Sequence, residues 1–127
     1  MQKTVLIVED EFLIAMDLKS MLERRGWRVL GPVSTVAAAS RILESELPSV
    51  ALLDVNLGHE LVTPLAEKLS SLNVPFAVAS AYDRPELVGG AVLAGAPNVG
   101  KPTPERRLLD VLAKLLEPDA LRPSIYR

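Results

Sequence analysis

Cysteine is absent from this chain of 127 residues, so neither disulfides nor thiolate metal sites hold it together, and a reducing compartment is the simple expectation. Histidine occurs once, in the Gly58-His59 loop, and reads as a solvated side chain rather than a ligand or a phosphorelay group. No apolar run approaches the ~20 residues that a membrane helix needs. The chain goes straight into a strand pattern without a charged region and apolar stretch at its start, so no signal peptide is read and a cytoplasmic protein is expected. An excess of one charge is lacking too. A formal net charge of -2 suggests neither a nucleic acid nor a membrane as partner. What the chain does have is apolar content, 49% of its residues. A chain of this length suits one domain that buries roughly two-thirds of its unfolded surface.

The apolar residues fall into alternating strand-like and helix-like segments. Thr4–Val8 reads as a buried strand, after which Ile14, Leu18, Met21 and Leu22 recur at helical spacing until Gly26 stops them. Trp27–Leu30 is a second strand closed by Gly31-Pro32, with Trp27 as core, and Ser34 is placed to cap a helix that buries Val36, Ala39 and Leu43. A third strand ends at Asp54, and Val62, Leu65, Leu69 and Leu72 form the stripe of a third helix. Pro75 opens a fourth strand. Asp83-Arg84-Pro85-Glu86 resembles a capping box for a fourth helix, weakened by Gly89-Gly90 inside it. Asn98–Gly100 is a short fifth strand, and Thr103-Pro104-Glu105 caps a last helix carried by Leu108, Val111, Leu112 and Leu115. Five such units imply an α/β fold, a doubly wound five-stranded parallel sheet of order 2-1-3-4-5 and flavodoxin-like. Residues 1–117 are expected to form the domain and residues 118–127, with two prolines, a C-terminal tail.

Four of these apolar runs end in groups that carry chemistry: Glu9-Asp10-Glu11, Asp54, Ser80 and Lys101. In the order 2-1-3-4-5 the first and third strands are neighbours at the topological switch, which brings Asp10 beside Asp54. Converging carboxylates repel, and a hard divalent cation such as Mg2+ offsets that cost. Glu11 reads as an ordinary first-turn acid, favoured by the helix dipole. Arg24-Arg25 and Arg106-Arg107 read as solvated helix faces.

This ordered set resembles the receiver domain of bacterial two-component response regulators, over nearly the whole chain. The resemblance implies Asp54 as phosphoacceptor, Glu9, Asp10, Asp54 and the backbone carbonyl of Asn56 around Mg2+, and Ser80 and Lys101 on the phosphoryl group. It also implies a cis peptide at Lys101-Pro102 and a small Ala81 that leaves room for a phosphodonor. A histidine kinase or histidine phosphotransfer protein is the implied partner. Most receivers carry Tyr or Phe three residues before the lysine, where Asn98 stands here. Pro75–Asp83 instead resembles the Phe-Ala-Thr-Gly-Tyr motif of an alphaproteobacterial subgroup, nicknamed FAT GUY, that lacks the ring. Ala79 and Tyr82 agree with it, while Val78, Ser80 and Ala81 replace Phe, Thr and Gly.

The leading expectation is a stand-alone receiver, not an enzyme, acting through protein–protein contact or as a phosphate sink. Two alternatives compete. A pseudo-receiver would bind partners without phosphorylation, against which the complete acid, hydroxyl and lysine set argues. An aspartyl-phosphate phosphatase of the haloacid-dehalogenase kind would need a second aspartate two residues after Asp54, where Asn56 stands.

Overall fold

A computed structural model describes residues 3–58, 60–80 and 91–117. Its elements in chain order are β1 (Thr4–Val8), α1 (Phe12–Arg24), β2 (Arg28–Val33), α2 (Val36–Ser45), β3 (Val50–Asp54), β4 (Asn56–Leu57), β5 (Glu60–Leu61), α3 (Thr63–Ser71), β6 (Phe76–Ala79), a 3-10 turn (Ala91–Leu93) and α4 (Glu105–Leu115). The main sheet has the order β2-β1-β3-β6, and each neighbouring pair is parallel. The expected fifth strand lies beyond β6 in the expected place, but as a single parallel bridge between Val78 and Asn98. Thus the fold is the doubly wound, flavodoxin-like one, its last strand reduced to one rung. The capping-box helix and the tail at 118–127 lie outside the described residues, as does His59.

Alternation within the strands separates two cores. Val5 and Ile7 of β1 join Leu52 of β3 and Ala77 of β6 under Leu18 and Leu22 of α1 and Leu108, Val111 and Leu112 of α4. Leu6 and Val8 join Ala51, Leu53 and Val78 under Ala39 and Leu43 of α2 and Leu65, Ala66 and Leu69 of α3. Strands buried on both faces explain why their sequences are continuous apolar runs rather than alternating ones. Trp27 is buried in the first core, as its place at a strand start suggested.

Local details depart from expectation. β2 does not close at Gly31-Pro32 but runs through it to Val33. Gly31 has φ +88° and, with a cis bond to Pro32, makes an irregularity opposite Leu6–Val8. A Cβ at Gly31 would stand 2.8 Å from Val33 N and 3.1 Å from the Ile7 carbonyl, so only glycine fits. Pairing resumes where Glu9 N–H donates to the Val33 carbonyl at 2.9 Å. Thr35, not Ser34, caps α2: its Oγ1 accepts from Ala38 N–H at 3.1 Å. Glu60 Oε1 accepts from Val36 N–H at 2.9 Å, so the β4–β5 hairpin reaches the same helix end. Thr103 does not cap α4 either. Its hydroxyl donates to the Gly100 carbonyl at 2.7 Å, and Pro104 occupies the capping position.

Candidate functional site

β1 and β3 pair Val8 with Leu53, so the residues that follow them leave the sheet side by side. β3 and β6 pair Asp54 with Ala79, which makes Ser80 the next residue out along the same edge. Glu9, Asp54 and Ser80 are all buried, and Asp10 is exposed. One carboxylate oxygen from each of Glu9, Asp10 and Asp54 lies within 4.8 Å of the others. Gly58, at φ +70° in the β4–β5 turn, passes close to Asp10, a Cβ there standing 3.5 Å from Asp10 Oδ2. Asn56, two residues after Asp54, opens that hairpin and pairs with Leu61.

Lys101 supplies the positive charge. Its Nζ donates to Asp54 Oδ2 at 3.0 Å and lies 3.3 Å from Glu9 Oε1. Burial works against the ammonium, but hydrogen bonds and attraction to Asp54 and Glu9 outweigh it and hold the Lys101 pKa above its ordinary value. The Lys101-Pro102 peptide is cis, as the receiver resemblance implies. Glu11, read from sequence as a bystander, is part of the cluster: its Oε1 lies 3.5 Å from Lys101 Nζ, and its N–H donates to Glu9 Oε2 at 3.1 Å. No spacing rule separated it from a helix-start acid, because its carboxylate reaches the site from an exposed position.

One ammonium does not balance this many acids. Burial pushes the Glu9 carboxyl from 4.5 up to about 7, and a hydrogen bond and charge repulsion from Asp54 add to the rise. The Glu11 N–H and Lys101 oppose it. Three oxygen donors that repel one another suit a small hard cation, so the donor set fits Mg2+.

Two more residues at the site escaped the sequence reading. Asn98, noted only for its missing ring, accepts through Oδ1 from Ser80 N–H at 3.1 Å and Gly100 N–H at 2.9 Å. Arg107, read as a solvated face, donates from Nη2 to the Asn98 carbonyl at 3.1 Å. Arg25 is paired as well, its Nε donating to Glu105 at 2.8 Å and joining α1 to α4. Ala81 and Tyr82 of the divergent motif lie outside the described residues.

The family profile described as the response regulator receiver domain matches residues 5–113. The chain belongs to that family. The transcriptional regulatory protein PdtaR of Mycobacterium tuberculosis is 33% identical over 95 residues, which cover 74% of this chain and 46% of PdtaR. The phyllosphere-induced regulator PhyR of Methylorubrum extorquens is 36% identical over 92 residues, covering 70% of this chain and 34% of PhyR. The chain therefore spans half or less of the length of these relatives. The solution structure of SdrG from Sphingomonas melonis Fr1 is similar at 37% identity and a TM-score of 0.77, covering 91% of this chain and 98% of that one. The domain is thus a receiver module of two-component signalling, with no described helix long and apolar enough to cross a membrane.

Proposed function

We propose that this receiver accepts a phosphoryl group on Asp54 from the phosphohistidine of a histidine kinase or phosphotransfer protein, with Mg2+ at Glu9, Asp10, Asp54 and the Asn56 carbonyl. The observation that carries the reading is the 3.0 Å contact between the Lys101 ammonium and buried Asp54 beside two further acids. Asp54 Oδ attacks phosphorus as the P–N bond breaks, and the bonding electrons leave with the imidazole nitrogen. Lys101 lies against the attacking carboxylate and then faces the charged product, and its raised pKa keeps it protonated throughout. The Ser80 hydroxyl, at the end of β6, donates to a phosphoryl oxygen. Bound Mg2+ would supply charge neutralisation for the acids and the transferring oxygens.

The output is a change in which proteins the domain contacts, or the removal of phosphate from a relay. Asn56 gives no carboxyl that could act as the general acid of a phosphatase, which favours a signalling role over turnover. The test is Phos-tag electrophoresis after incubation with acetyl phosphate and Mg2+. The parent is expected to gain one phosphoryl group, and Asp54→Asn none. Equal labelling of the two, or labelling undiminished by EDTA, would overturn the proposal.

A further inference from the structure

Among the described residues, the backbone ladder beyond β6 consists of two hydrogen bonds. Val78 N–H donates to the Pro97 carbonyl and Val99 N–H to the Val78 carbonyl, each at 2.9 Å. A parallel ladder would continue with Ser80 N–H donating to the Val99 carbonyl. Ser80 N–H donates instead to the side chain of Asn98, and Gly100 N–H donates to the same Oδ1. A carbonyl oxygen has two acceptor positions, so one side-chain atom serves both donors. Ser80 immediately follows β6 and Gly100 immediately precedes Lys101. The shared oxygen therefore joins the two arms that stand beside Asp54. On its other side, the Asn98 backbone carbonyl is held by Arg107 of α4.

We infer that Asn98 is a positioning residue for phosphoryl transfer to Asp54. Its Oδ1 replaces the missing ladder rung and fixes Ser80 and Lys101 relative to each other. The inference rests on the phosphoacceptor reading above. An aromatic ring at this position would have no amide oxygen to offer, so installing one removes the connection instead of restoring a switch. The geometry gives Asn98 a task that a swinging ring does not perform.

The rate of Asp54 labelling by acetyl phosphate under saturating Mg2+ tests this in the parent, Asn98→Leu, Asn98→Tyr and Asn98→Asp. Leucine keeps the size without an acceptor, whereas aspartate keeps an acceptor oxygen. Leu and Tyr are expected to slow labelling about tenfold or more, and Asp to stay within about threefold of the parent, because small misplacements of reacting groups are costly. Mg2+ affinity is expected to change less than about twofold in all three, since Asn98 supplies no ligand. A purely structural role would lower the melting temperature and leave labelling of the folded protein unchanged. Labelling of Asn98→Leu at the parent rate, or an Asp variant as slow as the Leu variant, would overturn the inference. If the Leu and Tyr variants do not fold, amide exchange in the parent decides. Ser80 and Gly100 are expected to be protected like Val78 and Val99, and free exchange at either overturns the connection. A parent that takes no label overturns the phosphoacceptor reading and this inference with it. A labelled parent matched by Asn98→Leu overturns this inference alone.

Discussion

At the scale of single residues, the site is governed by an imbalance of charge. Lys101 faces Asp54, Glu9 and Glu11 at 3.0, 3.3 and 3.5 Å, with Asp10 in the same acid cluster. The imbalance is resolved at Glu9, whose carboxyl rises to about 7 and so holds a proton over part of the neutral range. A cation at the cluster requires that proton to leave. Mg2+ affinity is therefore expected to weaken as pH falls below about 7, by up to roughly tenfold per unit for one displaced proton. Calorimetric titration in buffers of different ionisation heat measures the proton released. Release at pH 6 is expected in the parent and strongly reduced in Glu9→Gln, and equal release from both would show that another group carries the linkage.

At the scale of elements, α1 presents exposed apolar side chains beside the site. Its first two residues, Phe12 and Leu13, are 73% and 77% exposed directly after the acids. Apolar side chains beside the proposed phosphoacceptor suit a protein donor, whereas a small donor has no use for them. Phe12→Ala with Leu13→Ser is expected to slow transfer from a phosphorylated histidine protein about tenfold, and to leave acetyl phosphate labelling within about twofold. Loss of both activities together would instead mark damage to the site. A second element-level prediction concerns Gly31, where a Cβ would meet Val33 N at 2.8 Å, whereas at Gly26, also at positive φ, it would meet nothing within 4 Å. Gly31→Ala is expected to cost about 2–4 kcal/mol in urea unfolding and Gly26→Ala about 1 kcal/mol. Similar costs at both would mean that the β2 irregularity relaxes freely.

At the scale of the whole molecule, what was legible in the sequence follows from how local each signal is. The doubly buried strands and the helical stripes are written in consecutive residues, so sheet order and the convergence of Glu9, Asp10, Asp54, Ser80 and Lys101 could be read directly. The path of β2 through Gly31-Pro32 could not, because glycine and proline signal a turn equally well when they form a bulge. Asn98 and Glu11 were misjudged for a different reason. Their partners, Ser80 and Lys101, are 18 and 90 residues distant, and only the folded chain brings them together. The short fifth strand has the same origin: a side-chain amide takes the N–H that a strand carbonyl would otherwise accept.

The same charge imbalance sets how stability depends on pH. Glu9 binds a proton more tightly when folded, at about 7 against 4.5 for its ordinary value. The folded state therefore holds more protons than the unfolded state between these two values, and stability falls as pH rises through that window. Lys101 works elsewhere. Its raised pKa gives stability that is fully present below its unfolded value and lost only as pH rises through the higher folded one, so it adds no slope near neutrality. In EDTA, stability is expected to drop by roughly 1–3 kcal/mol from pH 5 to 7.5, or roughly 4–10 °C in Tm. Saturating Mg2+ binds the folded state more tightly as Glu9 ionises, so it is expected to remove most of that loss. Glu9→Gln is expected to flatten the EDTA curve. Thermal unfolding of both proteins at pH 5, 6, 7 and 7.5, with and without Mg2+, separates the contributions. A parent whose stability rises with pH in EDTA, or a Glu9→Gln curve as steep as the parent's, would show that the acid cluster does not carry this cost.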